Sequence, residues 1–239
     1  MSYNQQPRAA TDGLIFCIDA GNPKCMKDGQ TTAIDLVQGY ELTGANGNPG
    51  SGTHTPNTDN FPAFNGLYGG IFDFNGGRGM NVEGDLGSHT SHSISMWYYK
   101  NSDSVQYFTD ARNDGGTWFL SNYTNDNINY NDKITYNFDV SYDADNSDFI
   151  NRWQHMVVTS DSGGGQVFID GTKRTAVLSN SVDEDLGVNF RIGTRFTTSG
   201  EWTGYMGPIH IYNRVLTQEE VSMNYNAFKE RFKNSPSVS

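Results

Sequence analysis

Basic residues are scarce in this chain: 16 Lys and Arg stand against 27 Asp and Glu, for a net charge of −11. A surface that binds nucleic-acid phosphates or anionic lipid needs a basic patch, so neither is an expected partner. Cysteine is scarcer still, with only Cys17 and Cys25. Two cysteines without a Cys/His cluster at ligand spacing give no zinc signature. They flank a turn at Gly21-Asn22-Pro23. They either pair across it or stay reduced, and the reduced reading puts Cys17 in the core of a first strand and Cys25 in a loop. Long apolar runs are missing, and nothing approaches the roughly 18 residues of a spanning helix. The first residues, Met1 to Arg8, are polar and lack the apolar stretch of an export signal.

Turn formers and aromatics are plentiful. Gly occurs 27 times, and aromatic residues make up 13% of a chain whose hydrophobic content is only 35%. That balance suits short strands joined by tight turns. A length of 239 residues fits one β-sandwich domain with a sizeable core.

The pattern along the chain agrees. Residues 1–12 read as a polar arm, and Gly13 to Ala20 as a first buried strand ended by Gly21-Asn22-Pro23. Residues 44–66 read as an irregular loop. Gly70 to Asn75, Met80 to Glu83 and His92 to Lys100 read as strands. In the last of these, alternation puts Ile94, Met96 and Tyr98 inward and Trp97 and Tyr99 on the other face. Val105–Arg112, Thr117–Tyr123, Ile128–Tyr130 and Lys133–Asp139 form a meander. Trp153–Thr159 and Gln166–Asp170 make a hairpin, and Asp170-Gly171 turns the chain into another strand. Thr217-Gln218-Glu219-Glu220 fits a capping box. Val221, Tyr225, Phe228 and Phe232 then recur at helical spacing. That stripe is expected to dock on the sandwich or on a neighbouring subunit. Residues 233–239 form a polar tail.

Several of these stretches resemble one family. Trp153-Gln154-His155 before a β-branched run, then Val167-Phe168-Ile169-Asp170-Gly171, resembles the laminin-G-like signature of Trp-x-His followed by hydrophobic-Asp-Gly. Gly204-x-x-Gly207 with Ile209, Ile211 and Tyr212-Asn213-Arg214-x-Leu216 is similar to the closing strand of the same domains. The resemblance covers about residues 13–232. It implies an all-β, concanavalin A-like jelly-roll sandwich of two antiparallel sheets with one short C-terminal helix. Gly13-Leu14, Asp19-Ala20-Gly21-Asn22-Pro23 and Asp35-Leu36 resemble the opening of laminin-G-like proteins in tailed-phage particles, marine ones especially. Asn224-Tyr225-Asn226-Ala227-Phe228-Lys229 resembles their helical ending. With no export signal in view, this implies a virion protein assembled in the host cytoplasm and released by lysis. Its partners would be other virion proteins or further copies of itself.

Catalytic patterns are not found. The glucanase branch of the superfamily uses a Glu-x-Asp-x-x-Glu strand, whose alternation places the carboxylates together. Glu83-Gly84-Asp85 has no following acid at the required place, and Asp183-Glu184-Asp185 is consecutive. No nucleophile elbow or phosphate loop stands out. The chain is therefore expected not to be an enzyme and to need no cofactor or metal. Calcium stays open, because Asp143-Ala144-Asp145-Asn146-Ser147-Asp148 supplies alternating oxygens, without the turn Gly or closing Glu of a calcium loop. A solvated acidic loop explains the same residues. His89 and His92 read as solvated loop residues, and His155 as a packed structural one. For sugar, the mixture to look for is exposed aromatics beside amides and carboxylates. Trp118, Tyr123 and Tyr130 with Asn122, Asn125, Asp126 and Asn127 offer it, although aromatics are also common core and cross-strand residues of any sheet, which is the stronger reading. Two functions follow: a non-enzymatic capsid decoration or fibre-type protein working by protein–protein adhesion, or a carbohydrate-binding module recognising host surface glycans.

Overall fold

The computed structural model describes residues 8–45, 60–102, 104–111, 118–122, 128–131, 150–174, 184–187, 189–195 and 200–233. Its strands begin with β1 (Leu14–Ile18), β2 (Ala33–Ile34), β3 (Glu41–Gly44), β4 (Ala63–Asn65), β5 (Ile71–Asp73) and β6 (Met80–Glu83). Then come β7 (Ser88–His89), β8 (Ser91–Lys100), β9 (Gln106–Asp110), β10 (Phe119–Asn122), β11 (Ile128–Asn131) and β12 (Trp153–Asp161). The series ends with β13 (Gly164–Ile169), β14 (Thr172–Lys173), β15 (Glu184–Asp185), β16 (Asn189–Ile192), β17 (Gly204–Tyr212) and the helix α1 (Gln218–Lys233). One sheet has the order β14-β13-β12-β8-β17-β5-β4, with β1 also paired to β17; the other has the order β11-β10-β9-β16-β6-β3-β2. The neighbouring strands within each are antiparallel, which gives the expected two-sheet sandwich.

Alternation explains how the sheets close on each other. Ile94, Met96 and Tyr98 of β8 join Met156, Val158, Ile209 and Ile211 in the core between the sheets, where Phe108, Phe190, Ile192 and Val82 meet them from the second sheet. Trp97 and Tyr99 point the other way, as the pattern predicts. The hairpin turn at Asp170-Gly171 also forms as read. Ile169 pairs with Thr172, and both turn residues take positive φ (51° and 77°), which suits a two-residue type I′ turn.

The helix covers the outer face of the first sheet. Thr217 and Glu220 form the capping box reciprocally: Glu220 N donates to Thr217 Oγ1 (3.3 Å), and Thr217 N donates to Glu220 Oε2 (2.9 Å). Arg214 clasps Glu220 as well, and this bond first of all holds the Glu220 carboxyl at about 2. The alternative of docking on a neighbour is not needed for this stripe, because Val221 and Phe232 are buried against the chain's own strands. Both glycines of the closing motif have a steric reason. A Cβ on Gly204 would lie 2.1 Å from the Tyr99 carbonyl oxygen, and one on Gly207 would lie 2.6 Å from the Phe232 ring. Gly207 and Pro208 form a bulge opposite Trp97, between the Met206–Tyr98 and Ile209–Met96 pairs.

Three sequence expectations are corrected. Cys17 faces away from the core, because Phe16 and Ile18 take the inward positions of β1, and it is Cys25 that packs in the core. Both thiols are free, and burial pushes them up to about 12 and about 11. His92 is no loop residue but a buried member of β8, and burial lowers it to about 3. The arm is shorter than 12 residues. Ala10 is buried, its N–H donating to Asn224 Oδ1 (2.8 Å) and its carbonyl accepting from the Tyr212 hydroxyl (3.0 Å).

Candidate functional site

The sugar site read from the sequence does not assemble around Trp118. That indole is fully buried in the core, edges Phe190 at 5.8 Å and donates to the Leu186 carbonyl at 3.0 Å. An indole with no open face has none to offer a sugar ring. The backbone does bring Asn122 and Tyr130 onto adjoining strands, in the Asn122–Ile128 and Leu120–Tyr130 pairs of β10 and β11. Tyr123, Asn125, Asp126 and Asn127 lie outside the described residues, as do the candidate calcium loop Asp143–Asp148 and the strand expected at Lys133–Asp139. Among the described residues, no group of three His, Cys, Asp or Glu is placed to hold a metal ion. No described helix is long and apolar enough to cross a membrane.

Ser95 and His155 invite a catalytic reading, since Ser95 Oγ lies 3.0 Å from His155 Nε2. Burial rules it out. Both residues sit under α1, where Asn224 Nδ2 also reaches Ser95 Oγ (3.3 Å) and Tyr225 packs on the imidazole. Burial lowers His155 to about 3. Asp170, the nearby carboxylate, accepts from the His155 backbone N–H rather than its ring. His155 is the packed structural histidine that the sequence suggests.

The outer face of the first sheet carries a different constellation. Strand register lines up Trp153 of β12, Tyr99 of β8, Tyr205 of β17 and Asp73 of β5 in one row on one face. Three strand spacings make it about 14 Å long. Tyr68, from the short 3-10 turn at Leu67–Gly69, joins it from the side. The rings touch in sequence. Tyr99 lies 5.6 Å from Tyr205 and 5.8 Å from Trp153, and Tyr68 lies 5.4 Å from Trp153. Trp153 is buried beneath Phe232 (4.4 Å), whereas Tyr68, Tyr99, Tyr205 and Asp73 stay half-exposed past the end of the helix.

A polar network borders the open end. Asp73 Oδ1 accepts from the backbone N–H (2.9 Å) and the amide Nδ2 (2.8 Å) of Asn75. Asn75 Oδ1 accepts from Asn101 Nδ2 at 3.0 Å, and the Asn75 side chain also bonds the Tyr205 hydroxyl. Burial first, and the Asp73 carboxylate second, raise the Tyr205 phenol; burial and the phenols of Tyr68 and Tyr205 raise Tyr99. Both therefore stay protonated at neutral pH. Tyr68 itself is held in the left-handed region (φ 53°, ψ 27°), which a bulky residue rarely takes. Arg231 keeps it there: Nε donates to the Tyr68 carbonyl (2.5 Å), Nη2 to that of Gly70, and Nη1 to both carboxylate oxygens of Asp19 (2.9 Å each).

Sequence reading missed this site for a stated reason. Its members come from four strands and a turn spread between positions 68 and 205, and no local window joins them. The one signal at hand was the alternation of β8, which already put Tyr99 on the outer face.

Comparison with known proteins bears on the fold. The family model described as the Concanavalin A-like lectin/glucanases superfamily matches residues 74–222, more than half of the chain. No curated protein matches the chain by sequence. Domain 4 of AbnA, a GH43 extracellular arabinanase from Geobacillus stearothermophilus solved with arabinotriose, is similar at a TM-score of 0.64 and 17% identity, over 89% of this chain and 98% of that domain. The botulinum neurotoxin serotype D ligand-binding domain solved with N-acetylneuraminic acid is similar at 0.62 and 15% identity, over 90% of this chain. The type G receptor-binding domain follows at 0.56 and 18%. This chain spans about half the length of the neurotoxin domains. At these identities the likeness is one of fold. The family match is firmer: the chain belongs to the concanavalin A-like lectin/glucanases superfamily.

Proposed function

We propose that this member of the concanavalin A-like lectin/glucanases superfamily is a non-catalytic domain that binds carbohydrate and works by adhesion. The observation that carries the reading is the half-exposed row of Tyr68, Tyr99 and Tyr205 beside the ordered Asp73–Asn75–Asn101 network. Aromatic faces stack on the apolar faces of sugar rings, while carboxylates and amides bond their hydroxyls. The similar domains solved with arabinotriose and with N-acetylneuraminic acid support it by analogy of fold. So does the missing carboxylate strand of the glucanase branch. A glycan array tests the reading: binding by the wild type, lost in Tyr99→Ala/Tyr205→Ala while the thermal melt stays cooperative, supports it. A flat array with the wild type, or turnover of a polysaccharide panel, overturns it.

The setting we propose is a tailed-phage particle, as a decoration or fibre-type component beside other virion proteins. It rests on the opening Asp19-Ala20-Gly21-Asn22-Pro23 and the ending Asn224-Tyr225-Asn226-Ala227. Both motifs have structural duties here. Asp19 anchors Arg231, and Asn224 ties the N-terminal segment to β8 and β17. Mass spectrometry of particles purified from the source checks the setting, and absence of the chain from them would sink it.

A further inference from the structure

We propose that the tyrosine row selects neutral sugars and discriminates against acidic ones, with Asp73 as the acceptor for ligand hydroxyls. The inference rests on the carbohydrate reading above and deepens it. Three observations carry it. First, the charged group that lies in the row is a carboxylate, Asp73, whose Oδ1 is already filled by two bonds from Asn75. The carboxylate's second oxygen is a further acceptor, and a sugar hydroxyl is a donor. A ligand carboxylate there would meet like charge.

Second, the two cations of the helix end beside the aromatic patch, Arg231 and Lys233, are already engaged. Arg231 is committed to Asp19 and to two backbone carbonyls, and Lys233 to Asp170 (2.8 Å) and the Trp153 carbonyl (2.6 Å). A guanidinium that recognises a carboxylate uses its paired N–H donors. Those of Arg231 serve to hold Tyr68 in its left-handed turn instead. A non-Gly residue in that region is strained and persists where the surroundings over-determine it. At Tyr68 the surroundings are Arg231 and Phe232, whose ring lies 6.0 Å from that of Tyr68. The helix end therefore positions a ring of the row rather than offering charge to a ligand.

Third, the whole chain carries −11, a field that disfavours anionic ligands. Neutral recognition through stacking and hydrogen bonds does not depend on that field. Arg78, five residues beyond Asp73 on the following turn, is the cation against which the inference is tested.

The experiment uses the full chain and two sets of oligosaccharides matched in backbone: neutral, and capped with sialic or uronic acid. Binding is measured at 20 mM and 300 mM salt, roughly a fourfold change in Debye length. The expected result is binding of neutral members with little salt dependence, and at least tenfold weaker binding of acidic ones. Asp73→Asn keeps Oδ1 for Asn75 and the fold, and is expected to weaken neutral binding about tenfold, the difference between a charged and a neutral acceptor. Tighter, salt-sensitive binding of acidic members, abolished by Arg78→Ala, overturns the neutral preference. If that binding is also lost in Tyr99→Ala, the carbohydrate reading of the row survives. Binding of neutral glycans unchanged by Asp73→Asn removes Asp73 from the site. No binding by the wild type to either set overturns the preference and the reading of the row together.

Discussion

The outer face of the first sheet has two ends built from the same strands and much the same aromatic chemistry, yet they have opposite fates. Under α1, Trp97 stacks on Tyr225 (5.6 Å, 13° between planes) and on Phe232 (4.9 Å), His155 and His210 face Tyr225 and Phe228, and Trp153 is buried. Past the helix end, Tyr68, Tyr99 and Tyr205 are only partly buried. The covered end mixes indole, phenyl and neutral imidazole with the Tyr225 phenol, and the open end uses phenols alone. A phenol, with its hydroxyl at the far tip of the ring, suits a position where only that tip meets water, and the larger indoles gain more from full burial. Chemistry along one strand thus marks where cover stops: Trp97 and Tyr99 are two residues apart on one face of β8.

The largest effect should come from breaking the covered end. Trp153→Ala removes an indole that is 3% exposed and touches Phe232, Tyr68 and Tyr99. A loss of about 3–5 kcal/mol is expected, read as a lower midpoint in urea with the slope unchanged. A neutral outcome would mean that the helix end does not seal this part of the sheet.

Acid should separate the two ends next. Burial lowers His155 to about 3 and His210 to about 4, from an ordinary value of 6.5. The unfolded chain therefore binds more protons than the folded one below pH 6.5, and stability falls as pH falls from there toward the folded values. Each such histidine contributes on the order of 2 kcal/mol of loss between pH 6 and pH 4. His155→Gln should make that part of the stability–pH curve shallower, leaving the contributions of His210 and His92. The phenols of the open end titrate far above this window and leave it untouched. A wild-type curve that is flat from pH 6 to pH 4 would contradict the burial of both imidazoles.

How much of this was legible beforehand depends on the range of the interaction. The capping box at Thr217–Glu220, the turn at Asp170-Gly171 and the inward set Ile94, Met96 and Tyr98 were readable because each is fixed within a few residues by hydrogen bonding or alternation. Trp118 was misread as a sugar platform. Alternation says which face a ring takes but not what lies above that face, and here the core between the two sheets lies above it. Cys17 was misplaced by one step of a period-2 pattern, which is enough to invert a face. The tyrosine row escaped because register across β12, β8, β17 and β5 is set by long-range pairing, and its flanking Tyr68 depends on an arginine 163 residues away.

The smallest expected stability effect tests the open end most directly. Tyr205 is half-exposed, its ring meets Tyr99 at 5.6 Å, and its hydroxyl bonds Asn75, which Asn101 and Asp73 also hold. Truncation to Ala forfeits one aromatic pair and leaves the amide network with its remaining bonds. The loss should be about 1 kcal/mol, a fraction of that at Trp153 on the same row. Binding should respond in the opposite order, because a ligand's stacking surface is what Tyr205→Ala deletes. Tyr205→Phe keeps the ring and should retain most of the affinity if stacking dominates; it should lose most of it if the hydroxyl supplies the contact. A Tyr205→Ala chain that melts several kcal/mol early would place Tyr205 with the covered end, and the row would then be packing rather than a platform. Near-wild-type stability together with lost glycan binding would make the edge of α1 the boundary between the part of the face that holds the fold together and the part that meets a ligand.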